Sequence, residues 1–193
     1  MLSAPSGAGK TSLARRLVAR RPDVALAVSH TTRAQRPGET HGVDYYFVDA
    51  PEFEAMIADG RFIEHATVFG NYYGTSVRAI EALISRGKHA ILEIDWQGAR
   101  AVRRQFPGAK SVFVMPPSMQ ALEQRLRARR QDADEVIAER MRAAKDEMSH
   151  AGEYDYTIVN DRFDRALAKL EALLPVAAGG RSDCGDGRAA VAD

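Results

Sequence analysis

Residues 4–11 read Ala-Pro-Ser-Gly-Ala-Gly-Lys-Thr, an order of residue types that suits an anion. Closely spaced glycines let backbone N–H groups turn inward on a phosphate, Lys10 reaches the outer phosphates, and the Thr11 hydroxyl can ligate Mg²⁺. Ala4 stands where the usual loop signature has glycine. Directly afterwards, residues 12–21 place Leu13, Leu17 and Val18 on one helical face and stop at Pro22, so a helix dipole points at the bound anion. Ala4, Pro5, Ser6, Gly7, Ala8, Gly9, Lys10 and Thr11 are therefore expected to bind a nucleoside triphosphate. A serine and glycine turn that merely opens a helix leaves the register of Gly7, Gly9, Lys10 and Thr11 unexplained.

Four further groups of residues could do chemistry. Ser29 opens the segment Ser-His-Thr-Thr-Arg-Ala-Gln-Arg, in which Arg33 and Arg36 precede Pro37-Gly38. Two guanidinium forks at that spacing can hold one phosphate, or can form a surface salt-bridge pair. Glu64, with Tyr73 and Thr75 on the following strand, sets a carboxylate beside a phenol and a hydroxyl. A carboxylate can accept from both the ring N–H and the exocyclic amine of guanine, an adjacent pair that adenine lacks. His65 is expected to be packing or rim. Glu93 and Asp95 end an apolar strand, where they can orient Mg²⁺ waters or receive ribose hydroxyls. Six arginines, Arg125, Arg127, Arg129, Arg130, Arg140 and Arg142, flank Asp132, Asp134 and Glu135; closing such a lid brings cations to a transferring phosphoryl group and excludes water.

These residues need a scaffold. Apolar runs at 24–28, 90–94, 111–115 and 157–159 alternate with helical periodicity at 77–85, 119–129, 134–150 and 163–174. That alternation predicts a parallel sheet covered by helices on both faces. Between residues 33 and 75 the pattern changes to short aromatic strands at 45–48, 62–66 and 68–73, with turns at Pro37-Gly38 and Gly70-Asn71 and one helix capped by Asp49. This reads as a small α/β lobe inserted in the main sheet. Residues 176–193 are rich in Gly, Ala, Asp and Arg and read as a disordered tail.

Composition narrows the function classes. The 193 residues suit one domain, and 27 Lys and Arg against 26 Asp and Glu leave no global field for nucleic acid or an anionic membrane. The single cysteine, Cys184, excludes an intrachain disulfide framework. No apolar run approaches the length of a membrane span, so a cytoplasmic location is expected.

The chain resembles bacterial guanylate kinases from its first residues to about Leu174. The residues that carry the resemblance are the Ser3 to Lys10 loop, Ser-His-Thr-Thr-Arg from Ser29, Gly-Asn-Tyr-Tyr-Gly-Thr from Gly70, Ile-Asp-Trp-Gln-Gly from Ile94, and Tyr154-Asp155-Tyr156 leading to Ile158-Val159-Asn160-Asp161. The resemblance implies the P-loop three-layer α/β fold, with core 1–32 and 84–175, a GMP-binding lobe at about 33–83 and an arginine-rich helical lid at about 125–143. It implies ATP as phosphoryl donor with Mg²⁺, and GMP, with dGMP, as acceptor. It assigns GMP contacts to Ser29, Arg33, Arg36, Tyr45, Glu64, Tyr73, Thr75 and Asp95. Glu93 falls near the metal, through water, and the phosphates; Lys10, Arg125, Arg129 and Arg140 fall on the moving phosphoryl group; Asn160 and Asp161 fall toward the adenine. Ala4 is then a tolerated variant. Two positions depart from the family pattern. Arg130 replaces a lid glycine, and only Met1 and Leu2 precede Ser3 where several apolar residues are usual, so the first strand is expected to be short or the recorded start to lie downstream of the true one. Two alternatives remain: a related module that binds a protein partner without catalysis, which intact Gly7, Gly9, Lys10 and Thr11 oppose, and a same-fold kinase of a phosphorylated sugar, which Glu64, Tyr73 and Thr75 oppose.

Overall fold

The computed structural model describes residues 1–128 and 133–175. Arg129, Arg130, Asp132, Cys184 and the expected tail lie outside the described residues.

Five parallel strands make the main sheet: β1 (Leu2–Ser3), β2 (Val24–Leu26), β7 (His89–Ile91), β8 (Val112–Met115) and β9 (Tyr156–Val159). β2 pairs with β7, and β1 pairs with β8, which pairs with β9. A parallel bridge between Leu2 and Glu93 joins the two groups, with Leu2 N–H on the Leu92 carbonyl at 2.8 Å. The spatial order is thus β2-β7-β1-β8-β9. The shortest strand is the central one, and both its residues are buried.

Side-chain alternation along β8 shows why the sheet is a middle layer. Val112 and Val114 pack with Leu13 and Leu17 of α1 (Lys10–Arg20) and Leu167 and Leu170 of α7 (Phe163–Ala172). Phe113 points the opposite way, toward Ile80 of α3 (Val77–Ile84), Val102 of α4 (Trp96–Gln105) and Tyr154. Successive residues on a strand face opposite sides, so a run apolar throughout must be covered twice.

The small lobe is a second sheet in the order β4-β3-β6-β5, formed by β3 (His30–Thr31), β4 (Tyr46–Phe47), β5 (Phe62–Val68) and β6 (Asn71–Ser76). It begins at His30, three residues before the expected boundary, because His30 and Thr31 pair with Gly74 and Tyr73. The hairpin turn is Phe69-Gly70 rather than Gly70-Asn71. Both residues have positive φ, 47° and 72°, as a two-residue turn matched to strand twist requires. α2 (Ala50–Ala58) covers the sheet; Asp49 caps it by accepting from Glu52 N–H at 2.8 Å, and Phe53 stacks on Phe62 and Tyr72.

α5 (Met119–Ala128) and α6 (Asp134–Ser149) form the third part. The Ser118 hydroxyl caps α5 by accepting from Ala121 N–H. Leu122, Leu126, Ile137 and Ala144 pack around Ala8 of the phosphate loop, which seats the helix pair directly on residues 4–11. Among the described residues no helix is long and apolar enough to cross a membrane.

Candidate functional site

Helix α1 starts at Lys10, two residues earlier than its periodicity predicts, because Gly9 sits at φ 97° and turns the chain straight into the helix. Gly7 also has positive φ, 93°. Both positions are also crowded. A Cβ on Gly7 would lie 3.0 Å from Leu126 Cδ2, and one on Gly9 would lie 2.5 Å from Asn160 Nδ2. The left-handed backbone and the close approach both demand glycine.

The loop is braced from behind. Asn160, buried at the end of β9, donates from Nδ2 to the Ala8 carbonyl at 2.7 Å. Arg125 donates to the Asn160 carbonyl at 2.9 Å and to that of Ala8 at 3.4 Å. From the lid side, Arg140 Nη1 donates to Ser6 Oγ at 3.3 Å. These bonds fix the loop backbone in advance, so an incoming anion meets it without reorganisation.

In front of the loop opens a cavity of about 710 Å³, a size typical of small-molecule sites. Among the residues predicted from sequence, Ala4, Pro5, Ser6, Gly7, Gly9, Lys10, Thr11, Ser29, Arg33, Arg36, Tyr45, Glu64, Tyr73, Glu93, Asp95 and Arg140 all line it. Ala8, Thr75, Arg125, Asn160 and Asp161 do not. Thr75 is fully buried and holds its neighbours, with its hydroxyl 3.0 Å from Ser29 Oγ and also bonded to Glu64. Asp161 is engaged by Arg162 N–H and Arg165. Arg125 faces loop carbonyls rather than the cavity, since α5 runs behind the loop. Arg129 lies outside the described residues.

On the cavity wall Thr11 Oγ1 donates to Glu93 Oε1 at 2.8 Å. A hydroxyl beside a carboxylate offers hard oxygen donors. Among the described residues no group of three or more His, Cys, Asp or Glu is arranged to hold a metal. That donor set suits an ion which keeps its waters and arrives on nucleotide phosphates.

Glu64, also on the cavity wall, is only 5% exposed. Burial pushes its carboxyl up to about 7, Asp95 adds to the rise, and hydrogen bonds from Thr75 and the charge of Lys10 offset part of it. Asp95 caps α4 by accepting from Gly98 N–H at 2.8 Å. Gly98 leaves the room Glu64 occupies, since a Cβ there would lie 2.5 Å from Glu64 Oε2. Burial, then Glu93 and Tyr73, push the Tyr45 hydroxyl up to about 12, so it remains a donor at neutral pH. Arg33 Nη2 donates to both carboxylate oxygens of Glu39, at 2.8 and 3.0 Å, and its guanidinium lies over the Tyr45 ring. Glu39 Oε2 also accepts Arg36 N–H at 2.9 Å, so one carboxylate sets the positions of both arginines.

Sequence reasoning missed Glu39, Asp44, Arg15 and Glu147, all on the cavity wall. Asp44 of the lobe forms an ion pair with Arg15 of α1, a contact between segments with no sequence signature. Glu147 had a usable signal: seven residues from Arg140, it shares that residue's helix face. His65 is exposed, as expected of a rim residue.

Comparison with known proteins points to one family. A family model described as Guanylate kinase matches residues 1–176. The guanylate kinase of Methylococcus capsulatus is 61% identical over 174 residues, covering 90% of this chain and 85% of its own length. That of Escherichia coli is 54% identical over 176 residues, with the same coverage of both chains. The crystal structure of guanylate kinase from Anaplasma phagocytophilum superposes with a TM-score of 0.73 at 37% identity, over 89% of this chain and 80% of that one.

Proposed function

The chain belongs to the guanylate kinase family and phosphorylates GMP with ATP, and from that premise we propose how its own residues divide the work. Residues 4–11 hold the donor triphosphate, with Lys10 on the outer phosphates and Arg140 carried over them by α6. Ser29, Arg33, Arg36, Tyr45, Glu64, Tyr73 and Asp95 hold the acceptor, GMP or dGMP. The observation that carries this division is that one cavity is lined by both the phosphate loop and Glu64.

Transfer of a phosphoryl group needs little covalent help, so positioning and electrostatics supply most of the rate. No side-chain nucleophile is required. Glu64 and Asp95 accept the N–H groups on the guanine edge. Tyr45 and Tyr73 donate to the acceptor phosphate together with Arg36, and Glu39 sets the positions of Arg33 and Arg36. Closure of the lobe onto α1, marked by the Arg15–Asp44 pair, excludes water from the line between donor and acceptor. Arg125 and Asn160 act one step back, by stiffening the loop backbone at Ala8. Thr11, and Glu93 through water, would hold Mg²⁺. When bound, the ion neutralises charge developing on the donor phosphate oxygens. A cytoplasmic location suits an enzyme that draws on ATP and GMP.

A coupled assay of ADP release, run with GMP, dGMP, AMP and a sugar phosphate, tests the substrate assignment. Lys10→Ala is expected to remove turnover while leaving the melting temperature near that of the parent. Full activity in that variant would overturn the role of the loop.

A further inference from the structure

One carboxylate on the cavity wall has no part in the division of labour above. Helix α6 presents Arg140, Ala144 and Glu147 at intervals of four and three residues, hence on one face. Ala144 is buried against Ala8. Arg140 above it reaches Ser6 Oγ, and Glu147 below it lies close to the Ser6 backbone N–H, which favours its ionised form. Glu147 also lines the cavity, together with Lys10 and Asp95. Its Oε2 is shut off from solvent and has no hydrogen-bond partner.

An unpartnered carboxylate oxygen at that depth is costly, and a neutral side chain would be cheaper unless the charge is used. The charges around it show what it could serve. Burial pushes Glu147 up to about 7, with Asp95 and Asp146 adding to the rise, while the charge of Lys10 acts the other way. Lys10 is a point charge on a flexible four-carbon stem, with three donors and no fixed direction. Packing alone does not aim it. A carboxylate held beside the loop at Ser6 can.

We propose that Glu147 is a positioning residue for Lys10. Its Oε2 takes one N–H of the ammonium during closure and leaves the other two for the donor phosphates. Arg140 and Glu147 then act as a pair on one helix face, so that α6 sets both cations of the donor site through a common anchor at Ser6. The inference rests on the reading of residues 4–11 as the donor site.

The electrostatics give the test a clear signature. Glu147→Gln keeps the shape and the acceptor for Ser6 N–H but removes a negative charge close to the phosphates. Ground-state attraction for ATP is then unchanged or improved, while Lys10 loses its aim in the transition state. Steady-state kinetics should show kcat lower by about tenfold with KM for ATP not raised, the split expected when a transition-state interaction is removed. Glu147→Asp, which keeps the charge but draws it back, should recover part of the lost kcat. Two results overturn the proposal: unchanged kcat in Glu147→Gln, or a rise in both KM values with kcat intact, which is the mark of a purely structural role. If Glu147→Gln does not fold, Glu147→Asp decides by the same criterion, a lowered kcat at unchanged KM for ATP. Lys10→Ala in parallel separates the two levels of inference. Turnover in that variant overturns the donor-site reading itself, whereas an inactive Lys10→Ala beside a fully active Glu147→Gln overturns only the role of Glu147.

Discussion

The buried carboxylate at the acceptor end makes GMP recognition depend on pH in a way that can be calculated. Glu64 rises from the ordinary 4.5 to about 7 in the GMP-free protein, chiefly through burial, and only the ionised form accepts two N–H groups from guanine. Binding must therefore include loss of a proton below about pH 7. With simple titration, KM for GMP should be near its limit at pH 8, about twofold higher at pH 7 and about tenfold higher at pH 6. The phosphate of GMP itself titrates near 6, so the comparison needs Glu64→Gln as an internal reference. That variant loses a charge-assisted bond and turns a donor toward a donor, a cost of about 1.5–3 kcal/mol, or roughly ten- to a hundredfold in KM. Its KM carries the phosphate titration but not that of the carboxyl. The ratio of variant to parent KM should thus shrink about tenfold between pH 8 and pH 6 in the coupled ADP assay.

Stability supplies the opposite sign. Between 4.5 and 7 the folded chain holds a proton on Glu64 that the unfolded chain has lost. The group's contribution is therefore full below 4.5 and disappears as pH rises through about 7, a change on the order of 3 kcal/mol. Without GMP, Glu64→Gln should melt above the parent at pH 8, and GMP should raise the melting temperature of the parent more than that of the variant. A KM ratio that stays constant from pH 6 to pH 8 would refute the assignment of Glu64 as the ionised guanine acceptor.

Two further substitutions probe the support of each half-site. In Gly98→Ala the methyl meets Glu64 Oε2 at 2.5 Å, so KM for GMP should rise at least several-fold with KM for ATP unchanged, even though alanine favours the helix by about 1 kcal/mol; equal KM values for GMP would show that the carboxylate has room to move. Asn160→Ala removes the 2.7 Å bond to the Ala8 carbonyl, and should cost about 1–3 kcal/mol in denaturant unfolding and raise KM for ATP rather than GMP.

Local spacing carried much of the chemistry. Gly7, Gly9, Lys10 and Thr11 lie within five consecutive residues, so their types and order specify a phosphate loop before any folding is considered. The same holds for the Asp49 cap and for the apolar runs that become β2, β7, β8 and β9, because capping and strand burial are satisfied within a few residues of the groups they need. The roles of Arg125 and Asn160 were not legible. Thirty-five residues separate them, and the Ala8 carbonyl they share lies over a hundred residues from either; only packing decides that a basic residue braces the loop rather than facing the cavity.

The acceptor end shows the same limit. Glu64 could be named as a guanine acceptor from its chemistry, but its burial, the space left by Gly98 and the nearby charge of Asp95 come from three elements brought together by the fold. Those neighbours, not the residue type, set its proton affinity. Glu39, Asp44 and Glu147 stood in the sequence as ordinary surface acids. Tertiary structure made them part of the site, because a charge acquires a role only from the partners and the dielectric around it. The amino-acid sequence by itself fixed which groups can bind phosphate and guanine and the elements that carry them, and the folded structure alone decided which of those groups face the cavity, which brace it, and how strongly each holds its proton.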